Sequence, residues 1–456
     1  MKIDYAEAKD QIKNFSLDNK LYDFIIIGSG PAAVTLYKKI ISKKKKCKIL
    51  VLEYGDFQKK NYKKILSKYL KINFKSRVFT VGGTSSIWSN ISSYFEDFEM
   101  KNRWSNKKFN LWPMSHKSLM REYEKLDKKY QFFFNKIKKK KIKIPFETRP
   151  FLSTVKPINF KQFIDINKID LIFNCKVDTI DENKKLAVAY TADNKIKFNA
   201  KKIIVCCGGI ESVRLIQKSL LKKKLKKIKN KNLVGKYFMD HPKFDLGYLK
   251  FPKYEIINKI DMKEKKNFIS YYGISLKRNI QNNKKLLNTY VRFEKNNKIF
   301  GFLDKMKIPI IKNIFEKKII YRVRLFCEMM PNKNNLITSK KTKTLIKLRF
   351  SKIDYDTINL LAKQIKYFFS RKPNKEVKLN TKNILKRVTG ASHHMGGLRF
   401  YPDANQSVVD RNLKIIGLKR IYVCSSAVFP TSGSVNPTMT ICTLANKLGI
   451  HLKKNL

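Results

Sequence analysis

The stretch that decides the fold is YDFIIIGSGPAA, residues 22–33, which is followed by VTLYKKIIS. An apolar run of strand length meets two glycines and then apolar residues at helical spacing, so this stretch predicts a strand, a tight turn and a helix. After a run of lysines at 43–46, CKILVLE (residues 47–53) predicts a second strand that ends in a carboxylate. A strand–helix–strand unit of this size predicts a parallel sheet whose first helix points its N-terminus at a ligand.

The glycine turn has the spacing of a dinucleotide-binding site. Gly28 permits the tight turn, Gly30 leaves room for a pyrophosphate at the helix N-terminus, and Ala33 lets the helix pack closely on the strand. Glu53 ends the second strand, where it can accept hydrogen bonds from a ribose diol and would repel a 2′-phosphate. The pattern therefore favours FAD or NAD over NADP.

Length and composition set the broad class. The chain has 456 residues, so its length predicts two domains or one large interrupted domain. Apolar residues make up 43% of the chain and aromatic residues 12%, which excludes a wholly disordered protein. Its 7 cysteines include no CxxC pair, so they indicate neither a disulfide framework nor a metal site. Because neither a signal peptide nor a membrane-spanning apolar stretch is visible, we expect a cytoplasmic protein. Peripheral association with a membrane is left open.

The charge is strongly positive, with 100 Lys and Arg against 35 Asp and Glu, or a net +65. Only 15 of these are Arg, which leaves 100 − 15 = 85 Lys. Contacts to bases and phosphates favour Arg, so we interpret most of the charge as compositional and do not expect nucleic-acid binding. The lysine-rich runs at 43–46, 136–143 and 222–231 leave one alternative open. In it, the chain is a basic protein that binds nucleic acid or an anionic membrane surface and retains a flavin-binding fold.

Further motifs follow in order along the chain. Three of them are RVFTVGGTSSIWSN (77–90), IIVCCGGIESVRL (203–215) and NLVGKYFMDHP (232–242). The C-terminal block contains HHMGGLRFYPD (393–403) and SSAVFPTSGSVNPT (425–438). In content and order, these motifs resemble the glucose–methanol–choline (GMC) flavin oxidoreductase family over most of the chain.

The resemblance implies a catalytic pair. His394 falls on the family's catalytic histidine, and Asn436 falls on its partner; His393 receives no chemical role. A neutral imidazole can remove a hydroxyl proton while hydride leaves the carbon for the flavin, and the amide can orient the same hydroxyl. The expected reaction is the oxidation of a CH–OH group of a sugar, polyol or similar small alcohol to a carbonyl. The electron acceptor is oxygen, a quinone or another carrier, and a dehydrogenase is favoured over an oxidase.

The resemblance also implies non-covalent FAD, because Ile87 stands where the covalent members have a histidine. Ser425 replaces an acid of many members, which weakens one inferred cofactor contact. The residues expected to bind FAD are Gly28, Gly30, Ala33, Glu53, Gly82, Gly83, Thr84, Ser86, Trp88, Asn90, Val177, Gly208, Ser425, Asn436, Pro437 and Thr438.

The expected fold class is α/β, with a discontinuous, Rossmann-like FAD-binding domain and an α+β substrate domain that has a mostly antiparallel sheet. The predicted FAD-binding segments are 1–100, 170–245 and 390–456, the last of which carries the catalytic residues. Residues 101–169 are expected to form a helical connecting and cap region. Residues 246–389 are expected to form the substrate-binding domain.

Overall fold

The computed structural model describes residues 20–455 except for 43–46, 106–108, 131, 133–141, 192–193, 252–254, 261, 266, 296–318, 341–342, 373–374 and 391. The first lysine run, 43–46, and residues 136–141 of the second lie outside the described residues.

Eight α-helices lie in the described part of the chain. They are α1 (Pro31–Ile40), α2 (His116–Tyr130), α3 (Gly208–Leu221), α4 (Glu255–Ile260), α5 (Arg278–Asn283), α6 (Lys352–Ser370), α7 (Ile384–Arg387) and α8 (Thr438–Lys454).

The strands of the described residues fall into two large and two small sheets. They are β1 (Leu21–Ile27), β2 (Ile49–Leu52), β3 (Asn61–Tyr62), β4 (Leu66–Tyr69), β5 (Val78–Phe79), β6 (Glu147–Thr154), β7 (Asp170–Ile172), β8 (Lys176–Asp181), β9 (Leu186–Tyr190), β10 (Lys195–Val205), β11 (Lys243–Phe251), β12 (Lys263–Lys265), β13 (Phe268–Ser275), β14 (Tyr290–Lys295), β15 (Ile319–Phe326), β16 (Leu336–Lys340), β17 (Lys343–Leu348), β18 (Glu376–Leu379) and β19 (Ile421–Val423).

The first large sheet contains the strand and helix predicted from residues 22–33. Its strands follow the order β7-β2-β1-β10-β9-β8, and β19 also pairs with β10. β1 runs parallel to β2 and β10, and β19 runs parallel to β10, whereas β9 is antiparallel to both β8 and β10. The residues of β1 from Phe24 to Ile27 are buried, as expected for a central parallel strand that is covered on both faces.

The second large sheet is antiparallel and follows the order β12-β13-β14-β15-β11-β18, with β6 paired to β13. Its strands come from residues 147–154 and 243–379, so β6 adds part of the predicted connecting region to this sheet. The side chains of β15 alternate between buried and more exposed positions, so the sheet has one packed face and one open face. The predicted domain boundaries themselves stay predictions.

Two helices anchor the two sheets. α6 begins with a capping box between Ser351 and Asp354, and its Phe369 packs against Phe251 and Phe293 of the second sheet. α8 packs against α1 and α2, and a Cβ atom at Gly449 would lie 2.7 Å from the side chain of Lys39. The absence of a side chain at Gly449 therefore allows α8 to pack closely against α1. No helix in the described residues has the length and apolarity needed to cross a bilayer.

Candidate active site

One large cavity, with a volume of about 720 Å³, lies at the carboxyl ends of the parallel strands. Its wall includes Ile27 at the end of β1 and Leu52 at the end of β2, together with Cys206 immediately after β10. In open α/β sheets, ligands bind at this edge because the strand ends and the following helix N-termini converge there. The volume lies within the range of cofactor and ligand sites.

The first part of the cavity has the features of a pyrophosphate site. α1 begins at Pro31 after Gly30, which supplies no side-chain cap, so the first amides of the helix are available to an anion. Gly28 has a φ of +99°, and a Cβ atom there would lie 2.7 Å from the carbonyl oxygen of Cys206. The turn therefore requires glycine at this position and brings the backbone close to the cavity.

Glu53 lies beside this turn at the end of β2. Its carboxylate accepts hydrogen bonds from the Ser29 amide at 2.9 Å, the Ser29 hydroxyl at 2.7 Å and the Gly55 amide at 2.8 Å. The Ser29 hydroxyl oxygen also accepts a hydrogen bond from the Gly82 amide at 3.0 Å, which joins the two glycine loops. Burial raises the pKa of Glu53, although these donors oppose the shift. The carboxylate lines the cavity, where a ribose diol could reach it.

Most of the residues expected to bind FAD lie on the cavity wall. They are Gly28, Gly30, Glu53, Gly83, Thr84, Trp88, Asn90, Val177, Gly208, Ser425, Asn436, Pro437 and Thr438. Three others lie behind the wall: Ala33 is buried where α1 packs on the sheet, Gly82 supports Ser29, and the Ser86 hydroxyl is buried without a hydrogen-bond partner in the described structure. The residues on the wall come from segments far apart in sequence, so they fit one extended dinucleotide.

Both histidines of the C-terminal block line the cavity, but in the described structure only one is hydrogen-bonded to Asn436. The Asn436 side-chain amide nitrogen lies 3.1 Å from Nε2 of His393. The sequence paired Asn436 with His394, whereas the hydrogen bond in this structure joins Asn436 to His393. Which of the two histidines acts as the base stays a prediction.

A chain of hydrogen bonds determines the tautomer of His393. Nε2 of His241 lies 2.8 Å from the Gly433 carbonyl oxygen and 3.2 Å from the Ser432 carbonyl oxygen, so Nε2 carries the hydrogen. Nδ1 of neutral His241 is then an acceptor, and it lies 2.9 Å from Nδ1 of His393. His393 therefore donates through Nδ1 and keeps a lone pair on Nε2, which faces Asn436 and the cavity.

The surroundings keep this histidine neutral. Burial lowers the pKa of His393 well below its ordinary value, and the neighbouring His241 and Lys243 add to the shift. Burial likewise lowers the pKa of His241, although the nearby Asp240 carboxylate opposes it. A neutral imidazole with an available Nε2 is the protonation state that a general base requires.

His394 has a different environment. Its ring stacks on Phe238 with 6.2 Å between the centroids, and its carbonyl oxygen accepts a hydrogen bond from Ser426 at 2.6 Å. Its Nε2 atom is buried and has no hydrogen-bond partner in the described structure, while the residue lines the cavity. Burial lowers the pKa of His394. A ligand in the cavity could satisfy this nitrogen, so His394 fits a cofactor contact.

Several wall residues received no role from the sequence. His393 had been left without one, and Lys243 and Arg77 also line the cavity. Arg77 is buried and forms a salt bridge of 2.5 Å with Glu211. The adjacent histidines in the sequence indicated where the active site lies, but they did not indicate which of the two contacts Asn436. No feature of the sequence distinguished Lys243 from the other lysines.

The third lysine run offers little support for a phosphate-binding surface. Lys222 and Lys224 form salt bridges with Asp178 at 3.3 Å and Asp181 at 2.9 Å. These carboxylates neutralise part of the local charge, which a nucleic-acid site would leave available.

Comparison with known proteins addresses the family. Residues 338–445, which include both histidines and Asn436, match the family model described as GMC oxidoreductase. The C-terminal segment is similar to that of GMC oxidoreductases. The resemblance to this family, stated from the sequence motifs, is therefore confirmed. A search of curated protein sequences finds no match.

Solved structures show the same fold at low sequence identity. Pyridoxine 4-oxidase from Mesorbium loti is 11% identical with a TM-score of 0.62, and the match covers 94% of this chain and 99% of that one. A formate oxidase is 15% identical with a TM-score of 0.57, covering 96% and 99%. A variant of Aspergillus oryzae formate oxidase, studied for modification of its FAD, is 14% identical with a TM-score of 0.60 and the same coverage. The predicted mixed α/β fold is confirmed by these matches.

Proposed function

We propose that this protein is an FAD-dependent oxidoreductase that oxidises a CH–OH group to a carbonyl. The observation that carries the proposal is the contact between His393 and Asn436 in the wall of a cavity that a dinucleotide-type glycine turn also lines. The match of the C-terminal segment to GMC oxidoreductases supports it. A sugar, polyol or similar small alcohol is the substrate class that the family resemblance suggests.

His393 is the proposed general base. On binding, a substrate hydroxyl would donate its hydrogen to the Nε2 lone pair of His393, which in this structure accepts from the Asn436 amide 3.1 Å away, while the hydroxyl oxygen accepts from that amide. The hydroxyl proton then moves to Nε2, and the carbon loses hydride, so the alcohol gives up two electrons and two hydrogens in forming the carbonyl. Bound FAD supplies the chemistry of hydride acceptance. The carbonyl oxygen of the product remains within reach of the Asn436 amide.

His241 is proposed to position this base. Its Nδ1 atom accepts from His393 at 2.9 Å, so His393 is held in the tautomer whose Nε2 carries a lone pair and no hydrogen. The carbonyl oxygens of Ser432 and Gly433 fix His241 in turn, at 3.2 and 2.8 Å. His241 has no contact with the reacting atoms in this scheme, so its effect is on orientation and tautomer.

The cofactor is proposed to bind without a covalent bond at Ile87. Ile87 lines the cavity, and its hydrocarbon side chain contains no nucleophile. FAD should therefore appear in the supernatant when the purified protein is denatured, and colour that stays with the precipitated chain would contradict non-covalent binding.

The electron acceptor determines whether the enzyme is an oxidase or a dehydrogenase. Two of the structural matches are oxidases by name, so oxygen is the first acceptor to test. The preference for a dehydrogenase stays a prediction.

The proposal is tested by mixing the FAD-loaded protein anaerobically with a panel of sugars, polyols and simple alcohols and recording flavin absorbance. Bleaching by an alcohol supports the proposed reaction and identifies the substrate class. If no alcohol reduces the flavin while dithionite does, the proposed function is wrong. Readmitting oxygen or a quinone to the reduced protein then identifies the acceptor.

A further inference from the structure

The cavity wall beside His393 contains a lysine that the proposed mechanism does not use. Lys243 lines the cavity together with Ser392, His393 and His394. Its backbone is fixed to the segment that carries the histidines: the Lys243 amide donates to the Thr389 carbonyl oxygen at 2.8 Å, and the Thr389 amide donates back at 2.9 Å. The charge of Lys243 is near enough to His393 to help lower the pKa of that imidazole.

The nearby acids on the open face of the second sheet are already paired with arginines. Glu294 forms salt bridges with Arg292, Arg322 and Arg324. Asp245 lies 3.7 Å from both Arg322 and Arg324. Three arginines thus share two carboxylates, and Lys243 adds a further positive charge to this face.

Asp240 does not form a salt bridge with Lys243 either. This carboxylate is completely buried, and its Oδ1 atom accepts hydrogen bonds from the amides of His241 at 2.7 Å and His393 at 2.8 Å. Within the described ranges, none of the carboxylates forms a salt bridge with Lys243.

The electrostatic environment of Lys243 is unfavourable to its charge. Burial lowers the pKa of Lys243, the charges of Arg324 and Arg292 lower it further, and the attraction of Asp240 opposes the shift. A half-buried ammonium group without a partner is costly, and an anion beside it would remove much of that cost. The site is therefore suited to a ligand with a negative charge.

We propose that the alcohol oxidised by this protein carries an anionic group, a carboxylate or a phosphate, which binds Lys243 while its hydroxyl lies between His393 and Asn436. This inference rests on the proposed function and specifies its substrate class. Lys243 would select the substrate and hold it in register, and it would take no part in the transfer of the proton or the hydride. A charge-assisted hydrogen bond of this kind is strong enough to dominate the choice between a charged and a neutral alcohol.

The test compares matched alcohols in anaerobic flavin reduction by the full-length, FAD-loaded protein. Glycolate is compared with ethylene glycol, and glycerate and glycerol 3-phosphate are compared with glycerol. In the natural protein, the anionic member should have a second-order rate constant at least about 10-fold higher, as expected from one charge-assisted hydrogen bond. The carboxylate and phosphate arms show which anion fits.

Variants of Lys243 separate substrate binding from effects on the cofactor. At about pH 8, where His393 is neutral with or without the charge of Lys243, Lys243→Met should lower the rate constants for the preferred anions by roughly 10- to 100-fold and leave those of the neutral alcohols within about 2-fold. Lys243→Arg should retain the preference. Lys250→Met is the matched control, because Lys250 is on the same strand and lies away from the described cavity wall, and it should change neither class.

The possible failures have different meanings. An equal loss for charged and neutral alcohols in Lys243→Met would show that Lys243 acts through the cofactor or the fold and would overturn the inference. If the natural protein prefers the neutral members, the inference is wrong and the proposed function stands. If no alcohol reduces the flavin, the proposed function falls and the inference falls with it. Should Lys243→Met fail to retain FAD, the same comparison between Lys243→Arg and Lys243→Gln decides the outcome.

Discussion

Two groups of polar residues contact the 431–436 loop. In one group an imidazole nitrogen faces the cavity, and in the other, which we call closed, the polar groups pair with one another inside the protein. The histidine cluster, His241, His393 and Asn436, is held by the loop's carbonyl oxygens and opens into the cavity through Nε2 of His393. The Arg149 cluster, Arg149, Glu96, Glu99 and Ser434, is held through the loop's amide and hydroxyl groups, and Glu99 is completely buried.

The Arg149 cluster uses its polar groups on one another. Oε1 of Glu99 accepts from Arg149 at 2.9 Å and from the amide and hydroxyl of Ser434 at 2.8 and 2.7 Å, while Oε2 accepts from the Glu96 amide at 2.9 Å. Burial alone would raise the pKa of Glu99, but the charge of Arg149 and the hydrogen bonds from Arg149 and the Glu96 amide together lower it. Such a cluster has little left to offer a ligand, and its contribution is to hold the loop that ends in Asn436.

The comparison teaches that burial and charge alone do not identify the reactive group. Both clusters contain buried titratable residues with shifted pKa values. Only the histidine cluster has an acceptor atom that faces a cavity large enough for a substrate. The predictions below test whether the open cluster controls the rate and the closed one controls stability.

The largest effect is expected at His393. His393→Ala removes the proposed base, so flavin reduction by the alcohol should slow by roughly 10²- to 10⁴-fold, while FAD stays bound. Rapid-mixing absorbance measurements give the rate. His394→Ala is the matched control and should lose less than about 10-fold, because in the described structure His394 forms no hydrogen bond with Asn436. If His394→Ala slows flavin reduction more than His393→Ala does, the base is His394, and the histidine cluster does not control the rate.

Arg149→Met tests the closed cluster. Removing Arg149 leaves the completely buried carboxylate of Glu99 without its counter-charge, although Glu96 keeps its salt bridge with Arg278, and this should lower the free energy of unfolding by about 3–5 kcal/mol. Urea denaturation measures this change. The rate of flavin reduction in the fraction that remains folded should fall far less than in His393→Ala. A variant with unchanged stability and a large loss of rate would show that the Arg149 cluster acts on the chemistry.

Substitution of His241 is expected to slow flavin reduction less than His393→Ala does and more than Arg149→Met does. His241→Phe removes the acceptor that fixes the tautomer of His393, so flavin reduction should slow by roughly 10- to 100-fold, as for other outer-sphere partners. His241→Gln can still supply an acceptor oxygen and should recover part of the loss. The pH dependence of both variants should also shift, because the environment of His393 changes. Equal losses in both variants, with an unchanged pH profile, would indicate a packing role only.

The smallest expected effect is a displacement of the pH profile. His393 must be neutral to act as a base, and its pKa is lowered by burial and by the nearby His241, Lys243 and His394, while Asp240 binds its amide. The rate of flavin reduction should therefore persist as the pH falls through the ordinary histidine pKa of about 6.5 and decline only well below that value. Stopped-flow measurements across about pH 5–8 check this; an acid limb centred at or above about 6.5 would show that His393 is not held neutral by its surroundings.

The sequence predicted the local parts of this structure well. The apolar run and glycines of residues 22–33 became β1, the turn and α1, because strand and helix periodicities and the need for glycine at Gly28 are local properties. The end of β2 at Glu53 and the place of Asn436 on the cavity wall were also predicted. The family motifs supplied what periodicity could not, namely that the C-terminal block belongs to the same site.

The choice between His393 and His394 could not be made locally. The two residues are adjacent, and the one that faces Asn436 depends on how residues 389–395 pair with residues 239–243, about 150 positions earlier in the chain. The roles of His241 and Lys243 depend on the same pairing. Lys243 is one of many lysines in the sequence, and only its place on the cavity wall distinguishes it.

By itself, the sequence determined that a glycine turn follows an apolar strand, and it predicted a dinucleotide there and a catalytic role for the C-terminal block. These conclusions follow from residue types and short spacings, which remain the same wherever the segments lie. The tertiary structure decided which imidazole contacts Asn436, which lysine on the described cavity wall lacks a salt bridge and which buried charges are paired within the protein. Each of these depends on distances between segments far apart in the chain, and hydrogen bonds and salt bridges vary steeply with such distances.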